Sequence, residues 1–336
     1  MWVVHNNTPF SAAGGFAQDR DGRLHWIVAV RATLEFAESG QLTRAAEQVP
    51  VQRVPVFRGS PTTSSLLHDA DLTLPKQATD VILNAHACAP GQRPVPELDV
   101  GFELGTLRKQ LRVYGERTWM RSATLGIVPG TPRPFVTSLI SYEHAFGGTD
   151  KSGAYFASNP VGCGYALSPD DLVHSLAPHV EDPAQPISSA SLPARAAGFG
   201  AIAAHWAERA RFAGTYDARW QRERAPLWPA DLDARFFQSA PQDQQVSGLL
   251  RGGEECVLLR LTRNGEARFR LPRITIRVLT HFKDRIEQNE ATLQTVCIQS
   301  EVQRLTLVWS ASQVCQEREH LLEQSRVTWE GEKTWA

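Results

Sequence analysis

The sequence predicts a mainly β (α+β) fold: antiparallel β-sheets or a sandwich at both ends, a long Pro/Gly-rich irregular middle and few short helices. Three observations carry this. Apolar and polar residues alternate with a period of two in runs before residue 128 and after residue 246, which is strand spacing. Turn dipeptides containing glycine separate neighbouring runs at hairpin distance. Between the two regions, prolines at 129, 132, 134, 160, 169, 178, 183, 186 and 193 remove donors and restrict their predecessors.

The cleanest strand is Leu24–Phe36 (LHWIVAVRATLEF), with Leu24, Trp26, Val28, Val30, Ala32, Leu34 and Phe36 on one face. His25, Arg31, Thr33 and Glu35 fall on the other, so the pattern predicts one buried and one wetter face. Asp21-Gly22 in front of it predicts a hairpin with an earlier strand. Leu98, Val100, Phe102 and Leu104 alternate next. After Gly105-Thr106 the row Leu107, Lys109, Leu111, Val113 follows. A two-residue loop opening with glycine predicts a type II′ hairpin.

In the irregular middle, 201–212 is the best helix, with Ile202, His205, Trp206 and Arg209 at helical spacing. The stretch 213–245 (AGTYDARWQRERAPLWPADLDARFFQSAPQDQQ) holds many rings but no sustained period. It reads as irregular structure wedged on a core by Tyr216, Trp220, Trp228, Phe236 and Phe237. Strands resume at 257–262 and 267–271 around Asn264-Gly265, the preferred type I′ pair. Further alternating runs cover 273–282, 295–298 and 304–309. The organisation expected is one domain over 1–311, strand-rich in 1–128 and 246–311 and irregular in 129–245. A charged tail, a short helix and then loose chain, is expected over 312–336.

With 35 Lys+Arg against 36 Asp+Glu, the net charge is −1, which offers no footprint for a nucleic-acid backbone or an anionic membrane. No basic, apolar leader opens the sequence and no long apolar run crosses it, so a soluble cytoplasmic protein is expected. The five cysteines (88, 163, 256, 297, 315) are odd in number and scattered, which suits reduced thiols.

Several motifs invite chemistry. Gly198-Phe-Gly200-Ala-Ile-Ala203 has the spacing of a dinucleotide fingerprint, but no strand pattern precedes it. Asp217, Asp231 and Asp233 resemble carboxylates for acid–base or cation work; the simpler reading makes them caps and turn residues. Cys163 lies between two glycines, with His144, His174 and His179 nearby in sequence, and reads as a small buried residue rather than a nucleophile. His86 and Cys88 share a strand face, yet two ligands make no zinc site. No catalytic, cofactor or metal residue is assigned. Among the nine tryptophans, Trp26 and Trp309 read as core. Trp228, Trp329 and Trp335 are the candidate partner-binding residues, the last two as apolar rings in a charged tail.

One ordered series of phrases adds a resemblance. It comprises Asn7-Thr-Pro-Phe10, Asp71-Leu72 with Lys76 and Thr79-Asp80, Gly115-Glu-Arg-Thr-Trp119, and Ser141-Tyr-Glu-His-Ala-Phe-Gly-Gly-Thr-Asp150. It continues with Asn159-Pro-Val-Gly-Cys-Gly164, Ala213-Gly-Thr-Tyr-Asp217 with Trp220, and Asp231-Leu-Asp-Ala-Arg-Phe-Phe237 with Ala240-Pro241 and Gln244. Over roughly 1–310 the chain resembles the domain-of-unknown-function family encoded beside type VI secretion VgrG spike and PAAR-like proteins. Lys76-Gln77 departs from the family's Lys-Pro, and 41–63 and the tail match nothing in it, which marks them as places for cargo specificity. The resemblance implies a cytoplasmic, non-enzymatic effector adaptor or chaperone, with a toxic effector and a VgrG or PAAR-like spike protein as partners. It implies no cofactor. The alternative from the residues is a carbohydrate-active β-sandwich enzyme or lectin built on the aspartates and tryptophans.

Overall fold

The computed structural model describes residues 2–37 and 39–331. Leu24–Phe36 forms a strand with the expected limits. It is flanked by Ser11–Gln18 across the expected hairpin and by Arg304–Val314 from the far end of the chain. The sheet then runs through Ile286–Gln299, Thr275–Phe282 and Leu322–Glu330 to Val3–Asn6. Thr79–Cys88 joins along the second half of Ile286–Gln299. This sheet is not wholly antiparallel: Val3–Asn6 runs parallel to Leu322–Glu330, and Asp80–Asn84 runs parallel to Thr295–Gln299. It curls until its two outer strands touch, Trp2 standing edge-on to Phe16 at 4.7 Å. Gly14 permits that closure, because a Cβ there would lie 2.3 Å from the Trp26 ring.

A second, antiparallel sheet takes Val180–Glu181, Leu107–Tyr114, Glu97–Leu104, Glu255–Leu259 and Glu266–Arg270 in that order. The two strand-rich ends therefore do not make separate sheets; each sheet draws on both. One continuous core joins them, with Phe36 stacked on Phe269 at 4.8 Å and Phe102 edge-on to Phe199 at 5.3 Å. A small satellite core packs Trp119 and Ile127, from the hairpin of Trp119–Ser122 and Gly126–Pro129, on Leu172, Ala177 and Ile187 of the irregular middle.

Four expectations need correction. The wetter face of Leu24–Phe36 is covered: Arg31 and Thr33 are buried, and only Glu35 of that face is fully exposed. The cover is the chain between 45 and 76. Gln48 accepts from Thr33 N and donates to Thr33 O at 2.9 and 2.8 Å, copying a strand ladder with one side chain. Asp71 takes both bonds from Arg31 Nη1, at 3.2 and 2.9 Å. So 41–63 is in part a structural cover.

The helix expected over 201–212 shrinks to Ala207–Ala210. Ala201 bridges Leu66, and Ile202 N donates to Ser239 O, so the first residues are held extended. At Asn264-Gly265 the hairpin is present, but its loop spans 260–265 and only Gly265 of the pair has positive φ (+89°). By contrast the Gly105 turn (φ +58°) connects its strands directly, as expected.

The fourth correction concerns the charged tail. The strand Arg304–Val314 runs past residue 312, one 3₁₀ turn follows, and Leu322–Glu330 is a full strand inside the main sheet. Its inward residues are Leu322, Ser325 and Val327, and Ser325 Oγ receives the Trp26 indole N–H at 2.9 Å.

Gly115 marks a close backbone approach. A Cβ there would lie 1.7 Å from the carbonyl oxygen of Arg133, which has no free side-chain end to move aside. Gly115→Ala is expected to cost about 3 kcal/mol, the upper range for a forced overpacking, read as a lowered urea midpoint with unchanged slope.

Candidate functional site

A groove of about 880 Å³ runs along the outward face of the five-stranded sheet. Its sheet wall carries Val257 and Leu259 flanked by Glu103–Arg108 and Glu266–Arg268 ion pairs. Its other wall is built from the irregular middle: 182–185, 195–198, Glu208 and 241–243. Pockets of this size accept small ligands or a few residues of a chain.

Lys109 stands at its inner end. It belongs to the inward row of its strand, between Leu107 and Leu111, and its side chain is 11% exposed. Its Nζ donates to Asp243 Oδ1 and Gln244 Oε1, both at 2.8 Å. Burial pushes the ammonium below its usual range, and the charges of Asp243, Asp182 and Glu208 oppose that push.

Beside it is Tyr142, 4% exposed, edge-on to Trp206 at 5.2 Å. Gly198 and Gly200 flank the ring: a Cβ on Gly198 would lie 3.0 Å from its Cε1, and one on Gly200 3.6 Å from its Cε2. The Gly198-x-Gly200 spacing therefore serves a ring, not a pyrophosphate. Tyr142 reaches the groove lining without a hydrogen bond from its hydroxyl to another described residue. Burial pushes that hydroxyl well above the ordinary phenol range, with Asp243 and Glu208 adding to the effect. It stays a neutral donor and acceptor at physiological pH.

Behind the groove, the motif residues tie the molecule together. Asp80, fully buried, accepts from Lys76 Nζ (2.6 Å), Gln238 Nε2 (2.8 Å), Ser239 N (2.7 Å) and Ser239 Oγ (3.0 Å). Gln244 donates to the carbonyls of Val81 and Phe199 at 2.7 and 2.9 Å. These bonds clamp 213–245 to the Thr79–Cys88 strand, so polar side chains hold that stretch as much as its rings do. Trp228 packs on Phe236 and Phe237 at 5.7 and 6.2 Å, whereas Tyr216 is 51% exposed and stands edge-on to Trp220 at 4.7 Å.

Arg117 makes a second clamp. Its guanidinium pairs with buried Glu181, donates to Pro178 O at 2.9 Å and lies 3.8 Å over the Tyr114 ring. Asn159, also fully buried, donates to Tyr142 O and Phe146 O at 2.8 and 3.0 Å and so fixes the turn that presents Tyr142. Gly147 (φ +148°) lets the chain pass, since a Cβ there would meet Asn159 O at 2.2 Å.

The model for one family matches residues 21–310, with the description "Uncharacterized protein conserved in bacteria (DUF2169)". The chain belongs to DUF2169. No curated protein and no solved structure matches it. Every groove residue, from Gly101 to Arg268, lies inside the DUF2169 segment, as do both clamps.

The other candidates in and around the DUF2169 segment have local partners. Asp217 caps Ala218–Glu223 through Trp220 N (2.7 Å). Asp231 accepts from Thr215 N and Oγ1 at 2.9 and 2.7 Å. Asp233 caps the turn at Ala234–Phe237 and pairs with Arg235. Burial pushes the Cys163 thiol up to about 12, which removes the thiolate a nucleophile needs. His144 and His179 face each other at 5.3 Å, and His144 Nδ1 bonds Leu139 O at 3.0 Å. His86 sits 3.4 Å from Glu301. Among the described residues no group of three His, Cys, Asp or Glu is placed to hold a metal ion, and no helix is long and apolar enough to cross a membrane.

Of the candidate partner-binding tryptophans, Trp228 is half-buried and donates its indole N–H to Gln18 O at 2.9 Å. Trp329 is not in a loose tail: it lies in the Leu322–Glu330 strand, edge-on to Phe10 at 5.7 Å. Trp335 lies outside the described residues. Neither Trp228 nor Trp329 lines the groove. Sequence reading missed Tyr142, Glu208 and Asp243. The visible sign was Lys109, a charge in an otherwise apolar strand row.

Proposed function

We propose that this protein is a type VI secretion effector adaptor that holds a toxic effector and promotes its loading onto a VgrG or PAAR-like spike protein. The ordered motif series carries the reading, since its phrases resemble the adaptor family over most of the chain. Two features of the molecule fit it. The motif residues act as clamps and turn devices that stiffen a scaffold, which a loading protein needs. An open groove of about 880 Å³, with a polar inner end and Val257 and Leu259 on its wall, has room for a few residues of polypeptide. The candidate carboxylates of the carbohydrate-enzyme alternative are each engaged as caps or turn acceptors.

The test is affinity capture of the tagged full-length protein from its native host, under conditions that express the secretion apparatus, with mass spectrometry of co-eluting proteins. The expected result is a toxin encoded beside this protein together with a spike-tip protein. Recovery of the protein alone, with the apparatus demonstrably expressed, would contradict the proposal.

A further inference from the structure

We infer that the inner end of the groove, around the Tyr142 hydroxyl, accepts an arginine side chain from a partner polypeptide. This deepens the adaptor reading and rests on it for the partner's identity, but the subsite itself is argued from geometry. Three carboxylates, Asp182, Glu208 and Asp243, line this end of the groove with Lys109. Only Asp243 is bonded to the ammonium. Asp182 is engaged by the backbone N–H of Ala184 at 2.9 Å, which leaves its charge unmatched, and Glu208 is exposed with no ion-pair partner among the described residues. Arg195, exposed on the same wall, likewise has no ion-pair partner among the described residues, and Arg211 and Arg235 lie with Glu208 around an adjoining pocket.

A second, independent observation points to a ligand. Tyr142 is 4% exposed and lines the groove, and its hydroxyl makes no hydrogen bond to another described residue. A buried polar group without a partner costs free energy unless a ligand or water completes it. A guanidinium suits what is present. It brings planar N–H donors in a fork, bonds carboxylates in pairs, and has a further N–H for the phenol oxygen. An anion would meet Glu208 and Asp182 without compensation.

The occupant is a side chain on a polypeptide because the groove continues away from this end along a sheet face. Val257 and Leu259 on that face offer apolar contact to the segment carrying the arginine.

The test uses the full chain with 3-fluorotyrosine at its five tyrosines. The Tyr142 signal is assigned by its loss in Tyr142→Phe, and the protein is titrated with N-acetyl-arginine amide. A saturable shift of the Tyr142 resonance is expected, with the isosteric N-acetyl-citrulline amide at least tenfold weaker. Glu208→Gln/Asp243→Asn is expected to weaken the arginine titration at least tenfold while the other four signals stay in place. Should the double variant disturb those signals, Glu208→Gln alone decides, because that exposed side chain has no hydrogen bond among the described residues to lose. An unmoved Tyr142, equal response to citrulline, or a titration indifferent to the carboxylates would overturn the inference. Capture of an effector with a silent Tyr142 would sink this inference alone. Arginine binding without any captured effector would sink the adaptor reading alone.

Discussion

Asp80→Ala is expected to destabilise the fold by about 3–5 kcal/mol, the range for removing one member of a buried ion pair. The carboxylate is fully buried and accepts four hydrogen bonds, so its loss strands the Lys76 ammonium and the donors of Gln238 and Ser239 together. Lys76 is itself buried, with Thr295 Oγ1 at 2.9 Å as its remaining side-chain partner. The pair as a whole need not be a large net gain, because taking both charges out of water costs nearly what their attraction returns. That distinction gives the control. Lys76→Met/Asp80→Asn removes both charges and keeps an acceptor for Ser239 N, so it is expected to be less destabilised than Asp80→Ala. Urea unfolding followed by tryptophan fluorescence reads both. A single variant within about 1 kcal/mol of wild type, below the usual cost of a stranded buried charge, would show that the clamp is not what holds 213–245 in place.

Acid should loosen the protein through His68 and His179. Burial and the nearby Arg31 charge hold the His68 imidazole down to about 4. Burial, His144 and Arg117 do the same for His179, also to about 4. In the unfolded chain both titrate near 6.5. Below that pH the unfolded state takes up protons that the folded state refuses. Their contribution to stability is therefore full above about pH 6.5 and is lost as pH falls toward 4. At ~1.4 kcal/mol per pH unit per group, each histidine forfeits on the order of 3 kcal/mol across that window. Unfolding free energies measured between pH 7 and 4 are expected to fall steeply, and His68→Gln/His179→Gln should flatten the slope. An unchanged slope in that double variant would contradict the assignment.

What the sequence disclosed follows from which physics is local. Alternation reports a strand directly, so Leu24–Phe36 and the Gly105 hairpin were legible with their limits. Partners of a strand are not local. Nothing in 322–330 announces that it will lie between Val3–Asn6 and Thr275–Phe282. Ser325 at an inward position also broke its apolar row, because there the side chain is satisfied by Trp26 rather than by packing. The same limit hid the covered face of Leu24–Phe36, where Arg31 looks solvated until Asp71 arrives from forty residues away.

The candidate site was legible only in fragments. Lys109 is a charge in an otherwise apolar strand row, and the Gly198–Gly200 spacing was visible, with its dinucleotide reading set aside for want of a preceding strand. Tyr142 and Asp243 come from irregular segments with no period to read, and Glu208 from the short helix Ala207–Ala210. Asn159, Gly147 and the two flanking glycines position Tyr142 through backbone geometry that only the fold reveals.

The most direct test of the proposed adaptor role is effector export in a strain lacking this protein. The account predicts that the neighbouring effector disappears from the secreted fraction while the secretion apparatus still releases its other products, and that the wild-type gene restores it. Undiminished export of that effector from the deletion strain would contradict the account.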